Sequence, residues 1–183
     1  MSTMYVNKVQ ELNVGSGVQI PGHVVQTVTH ENPNIGQRVQ FSTSTPVEVN
    51  TAYRISITPK AVGNKIILHY QYHSHNTGGV YGGIYPVVST DGGNSWLTAV
   101  AEHDSGSGYA KGQAPSDGQF AETHRNSYGN SGTIWDVRHQ QAIWEVTTTN
   151  THIFTLFGDM GSGTFAVGDN GPNVTAIAQE IAG

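Results

Sequence analysis

Histidine combines metal ligation with a charge change near neutral pH. The stretch "LHYQYHSH", Leu68 to His75, places three of the chain's nine histidines in eight residues. His69, His73 and His75 occupy odd positions, with Gln71 between them. In a β-strand residues i and i+2 share a face. One face would read His69, Gln71, His73, His75 and the other Leu68, Tyr70, Tyr72, Ser74. The histidine face admits a transition metal, because imidazoles at i and i+2, such as His73 and His75, can approach one ion with His69 further along the same face. No carboxylate ligand lies nearby in sequence. The expected reading is therefore a polar face of neutral, hydrogen-bonded histidines that meets water or another subunit, with no cofactor. A metal on His69, His73 and His75 is the alternative. Such a face would weaken below about pH 6, as the rings charge and repel.

A second group with defined spacing is Ser89-Thr90-Asp91-Gly92-Gly93-Asn94-Ser95-Trp96. It fits S-x-D-x-G-x-x-W and resembles the Asp box of sialidases and other β-propellers. There the Asp and Gly shape a hairpin turn and the Trp packs behind it, so the resemblance implies a structural role for Asp91, Gly93 and Trp96 and no catalysis. The motif occurs once, and a propeller needs several repeats and a longer chain. A third group lies in the stretch 103–132, where apolar residues are sparse and Gly and Ser dense. Tyr109, Lys111, His124, Arg125 and Tyr128 make it the candidate receptor-binding region, since loops on a rigid β scaffold commonly carry binding function. Catalytic constellations are missing: no G-x-S-x-G, no phosphate-binding Gly loop with Lys, no H-E-x-x-H. Paired carboxylates are sparse, and nothing favours the arrangement glycosidases need. No enzymatic activity is expected, a glycan-active enzyme being the remote alternative.

These groups need strands to position them. "HVVQTVTH" and "RVQFSTS" are rich in β-branched residues. "YRISITP" sets Tyr53, Ile55 and Ile57 against Arg54, Ser56 and Thr58, and Pro59 ends it. "GNKIILHYQYHSH" follows, then "VYGGIYPVVST" and "SWLTAVAEH" flank the "DGGN" turn. After the loop come "TIWDV", "QAIWEVTT", "THIFTLFGDM", "GTFAVG" and "NVTAIAQEIA". In the last, Val174, Ala176 and Ala178 alternate with Thr175, Ile177 and Gln179. No segment shows a 3.6-residue period. Many short strands without intervening helices predict an all-β, antiparallel sandwich or jelly roll over residues 23–183. Residues 1–22 form a short N-terminal β arm, which would attach to a neighbouring subunit.

Composition bounds the function. A chain of 183 residues suits one domain with its own core. Charged residues are only 11% against a usual share of about 25%. The net charge is −5 and the eight Lys and Arg are scattered, which argues against nucleic acid as a partner. The chain has no cysteine, so disulfides, thiolate metal sites and a cysteine nucleophile are excluded. "MSTMYVNKVQ" has no basic region followed by an apolar stretch, so no secretory signal is expected, and no window approaches a membrane span of about 20 apolar residues. Low charge with abundant Gly, Ser, Thr and Asn fits a surface-displayed β-domain.

Three stretches together resemble tail-fibre and related virion proteins of marine bacteriophages. "MSTMYVNKVQ" with "SGVQIPGHVVQ" is similar to their start. "ISITPKAVGNKIILH" resembles their recurring "ITP…SKIL" segment, and "NVTAIAQEIAG" resembles a C-terminal strand closing on "EIA". The matches cover about a quarter of the chain, in the right order. The resemblance implies a virion structural protein on the particle exterior, a β-sandwich, homotrimeric, whose arm binds other virion proteins. It implies a short tail fibre or fibre tip that meets a host surface glycan or protein, with a capsid or tail decoration protein as the alternative. The matching positions, Ile57 to Pro59, Lys65 to Leu68 and Glu180 to Ala182, read as scaffold. Some long tail fibres of this kind hold iron through H-x-H pairs on a threefold axis. His73 and His75 have that spacing, but those pairs recur along a thin needle and this one sits within a sandwich-like pattern.

Overall fold

The computed structural model describes residues 21–31, 39–42, 45–100, 111–115, 134–168 and 174–183. Among the described residues nine strands follow one another: β1 Val24–Glu31, β2 Val39–Phe41, β3 Val47–Glu48, β4 Ile55–Ile57, β5 Lys65–Ser89, β6 Leu97–Thr98, β7 Ile134–Glu145, β8 His152–Val167 and β9 Thr175–Ile181. A 3₁₀ turn, Thr51–Tyr53, precedes β4. Every pairing among them is antiparallel, in two sheets. The expected all-β sandwich is the fold of this chain.

The sandwich is organised by β5, which runs for 25 residues through both sheets. Its first part, Lys65–Gln71, lies between β9 and β7, and β1 completes that sheet beyond β9. From Ser74 onward β8 takes the place of β9, and β6 pairs Val87 and Val88 near the end. β2, β3 and β4 line the far side of β8. The register of β5 on β8 shifts between Thr77 and Tyr81 and again at Gly82. Such irregularities let one strand bend and change sheets. The glycines around this point read from sequence as breaks between two strands. They mark a corner within one strand instead, because pairing continues on both sides.

The core follows the alternation. Leu68, Tyr70, Tyr72 and Ser74 are buried, as are Ile55 and Ile57 opposite them. Two buried polar contacts tie the sheets together. The Tyr70 hydroxyl donates to the Tyr53 carbonyl at 3.0 Å. The Gln140 amide donates to the Tyr72 hydroxyl at 2.8 Å and to the Ile84 carbonyl. Pro86 sits inside β5 without breaking it: its carbonyl accepts from Ala99 N–H, so the missing Pro86 N–H lies on the short β6 side rather than toward β8.

A buried carboxylate locks the chain together at one end. Glu180 on β9 is in phase with Val174, Ala176 and Ala178 and is fully buried. Its Oε1 accepts from Asn64 Nδ2 at 2.6 Å, Lys60 N–H at 2.8 Å and, more weakly, Ala61 N–H at 3.4 Å. Its Oε2 accepts from Gln26 Nε2 at 2.6 Å, and the same amide reaches the Thr58 carbonyl at 2.7 Å. A buried carboxylate is tolerable only with its oxygens satisfied, which these neutral donors achieve.

Candidate binding surface

The outer face of the β1–β9–β5–β7 sheet carries the histidines. Cross-strand register sets them in rows. Thr29, Ile177, His69 and Gln141 form one row, and Glu31, Thr175, Gln71 and His139 the next. His73 stands opposite Val137. Gln179, Ile67 and Ile143 form the row on the other side of His69. His69 and His73 are half-buried and His139 is exposed. Directly opposed side chains in antiparallel strands lie within contact range, so these rows are the unit of the surface.

Between the rows lies a shallow depression of about 120 Å³, lined chiefly by His69, Gln71, His139, Gln141, Thr175 and Ile177. Pockets for drug-sized ligands measure about 300–1,000 Å³. The depression has room for one side chain or a comparably small group. Around it the surface is poor in charge and partly apolar: Ile143 is 55% exposed, Val137 and Ile177 each 40%. Lys65 and Glu145 oppose one another at one end, and Glu31 lies at the edge.

His69 and His73 share this face without sharing a site. Four residues along a strand span about 13 Å at roughly 3.3 Å each, whereas one ion draws its nitrogen ligands to about 2 Å. The His75 side chain lies outside the described residues. Among the described residues, no three His, Cys, Asp or Glu side chains come together to hold a metal ion. His139 joins the face from β7, a residue that sequence reasoning left out. The period-2 pattern of "VRHQQAIWE", with its even positions buried from Gln140 onward, was the available signal.

The Asp91 turn is closed upon itself. Asp91 Oδ1 accepts from the Ser89 hydroxyl at 2.6 Å and from the N–H groups of Asn94 and Ser95 at 3.1 and 3.0 Å. Its Oδ2 accepts from the Ser95 hydroxyl at 2.6 Å. The Ser89 hydroxyl, with Ser95 next in weight, holds the Asp91 carboxyl well below the usual carboxylate range. Gly92 and Gly93 have φ of 78° and 93°, the left-handed region that a side chain disfavours. Trp96 packs on Phe157 with ring centroids 5.4 Å apart and lies under the Arg54 guanidinium at 5.1 Å. Arg54 in turn makes a two-pronged pair with Glu48, both contacts at 2.7 Å. Both Asp91 carboxylate oxygens are occupied by neighbours within four residues, which is the behaviour of a structural hairpin.

Of the receptor-binding candidates, only Lys111 falls among the described residues. Tyr109, His124, Arg125 and Tyr128 lie outside them, as do residues 1–20 of the expected arm and all of the 103–132 stretch except 111–115. Lys111 Nζ donates to the Ile143 carbonyl at 2.9 Å and stands 5.9 Å from the Trp144 ring. Gly112 N–H donates to the Thr98 carbonyl, and Thr98 N–H to the Gln113 carbonyl. This short piece is thereby fastened to β6 and β7.

No protein-family model matches the chain, and no curated protein matches it. Among solved structures the chain is similar to one in the structure of infectious bursal disease virus Gx strain, at 11% identity and a TM-score of 0.37. The match covers all of this chain and 44% of that one, so this chain spans less than half of its neighbour's length. The sandwich assignment rests on the strand pairings above and not on this likeness.

Proposed function

We propose that this chain is a structural protein of a bacteriophage virion, displayed on the particle exterior, and that it serves at the tail as a short fibre or fibre tip in host attachment. The observation that carries the reading is where the phage-like stretches meet. "SGVQIPGHVVQ" ends on Gln26, "ISITPKAVGNKIILH" supplies Thr58, Lys60 and Asn64, and "NVTAIAQEIAG" supplies Glu180. These residues lie up to 154 positions apart and join in one hydrogen-bonded cluster. A resemblance whose separate parts belong to one cluster supports a shared scaffold better than three unconnected matches would. At its centre Asn64 and Glu180 are buried, in keeping with a scaffold role.

The outer face supports an assembly role of the same protein. It is rigidly backed, poor in charge and too shallow for a small-molecule ligand, as surfaces that pack on other proteins are. No catalysis is part of the proposal. The test is adsorption: purified protein added to host cells should bind them and slow adsorption of the phage. Failure to bind, with adsorption unchanged, would count against the attachment role.

A further inference from the structure

The two edges of the β1–β9–β5–β7 sheet are finished differently. β1 has eight residues and a register shift between Val24 and Gln26. Its side chains bridge across to the other sheet, Gln26 to the Thr58 carbonyl at 2.7 Å and His30 Nε2 to the Ala52 carbonyl at 2.8 Å. β7 has 12 residues with no proline, glycine or lysine, and its register on β5 runs from Lys65↔Glu145 to Asn76↔Ile134 without a shift. Proteins blunt open edges with short strands, bulges, proline or lysine, or by covering them. Among the described residues, β7 carries the Lys111 ammonium on the Ile143 carbonyl and three charged residues, Asp136, Arg138 and Glu145, but no bulge and no proline.

The direction of the β7 main chain follows from its end. Val146 N–H donates to the Asn64 carbonyl, and the Val146 carbonyl accepts from Gly63 N–H, each at 2.9 Å, so both Val146 groups face β5. Main-chain groups alternate sides along a strand. With no register shift, the even-numbered residues of β7 bond to β5. Val137, His139, Gln141, Ile143 and Glu145 turn their N–H and C=O groups outward, and all five are exposed.

We propose that β7 is a self-association edge, at which the β7 strands of two copies pair antiparallel about a two-fold axis and join their sheets. The charge pattern admits a second copy in antiparallel register and disfavours a parallel one. Glu145 is the one charged residue among the five outward-facing positions, at the C-terminal end. Antiparallel pairing centred on Gln141 sets Glu145 opposite Val137 and diagonal to His139, and His139 opposite Ile143, keeping the two acids far apart. A parallel copy would bring them side by side. Five outward residues per strand allow about ten main-chain hydrogen bonds across the axis. Lys111 competes for one of these acceptors and acts as a guard on the edge. The contact makes a dimer, where the phage resemblance implies a threefold assembly. It stands or fails independently of host attachment, because it concerns the purified protein alone.

Sedimentation velocity over a concentration series tests it, on the wild type, Ile143→Lys, Gln141→Pro and Lys111→Ala. The wild type should pass from monomer to dimer as concentration rises. Ile143→Lys places a charge on the edge, and Gln141→Pro deletes an N–H that bonds nothing in β5, so each should weaken association by at least about tenfold. Lys111→Ala should strengthen it. Far-UV circular dichroism and thermal midpoint identify any variant that fails to fold, and Ile143→Lys at an exposed site should retain both. A wild type that stays monomeric at about 100 μM, or an assembly of any order that a folded Ile143→Lys leaves unchanged, would overturn the proposal.

Discussion

Glu180 and Asp91 solve the same problem at opposite extremes of the chain's geometry. Each is a carboxylate held by neutral donors, without a cation among its hydrogen-bond partners. Asp91 draws its donors from residues no more than four positions away, in an exposed turn. Glu180 draws its donors from 116 to 154 positions away and is fully buried. The first arrangement shapes one hairpin and competes with water for every bond. The second ties β1, β9 and the turn between β4 and β5 into one unit, and water cannot replace its partners. A local carboxylate therefore sets a turn, and a non-local one sets the fold.

The largest expected effect follows from breaking the non-local set. Glu180→Ala orphans the buried Asn64 amide and several part-buried donors at about 1–3 kcal/mol each, non-additively, and empties a buried site, so urea unfolding should register a loss of about 3–5 kcal/mol. Gln26→Ala removes one arm of the cluster, with its bridge to Thr58, and should lose about 1–3 kcal/mol in the same assay. Glu180→Ala with Gln26→Ala should then fall well short of the sum, because the two share a bond.

His152 sharpens the comparison through pH. It is buried at the start of β8, and its Nδ1–H donates to the Asn150 carbonyl at 2.8 Å. Burial lowers its pKa below the usual value, against smaller raising effects from the Asn150 carbonyl and from Glu180. The unfolded chain therefore takes up this proton first as pH falls. The stabilising contribution is complete above about pH 6.5 and is lost as pH drops through the folded-state value. His152→Phe should flatten the stability profile just below pH 6.5, measured by urea midpoints in a pH series. The smallest expected global effect is that of Asp91→Ala. Hydrogen exchange at Asn94 and Ser95 should accelerate while the unfolding midpoint barely moves. Because the Asp91 pKa is lowered, the wild-type turn should loosen in the same way as pH falls below about 4.

The same contrast explains what could be read from the sequence. The strands β4 and β9 were legible because alternation is local, and Ile55, Ile57, Ala176 and Ala178 are buried as that pattern requires; Tyr53, read as part of the first strand, is buried too but belongs to the 3₁₀ turn before it. The hairpin at Asp91 was legible for the same reason. The continuity of β5 through its glycines was not, since glycine marks a turn and a bulge alike until the partner strand is known. Nor was the Glu180 cluster, although a glutamate in phase with Ala176 and Ala178 was a visible anomaly on an apolar face. His139 entered the histidine face through the pairing of β5 with β7, which spans about 70 residues of intervening chain. The candidate receptor residues fared least well as a group: Lys111 is engaged by Ile143 and Trp144, and the others lie outside the described residues.

The tail is the proposed place of this protein in the virion. Immunogold labelling of intact phage particles with an antibody against the purified protein tests this most directly. Label at the tail tip is the predicted result; label confined to the capsid, or particles that carry none, would contradict it.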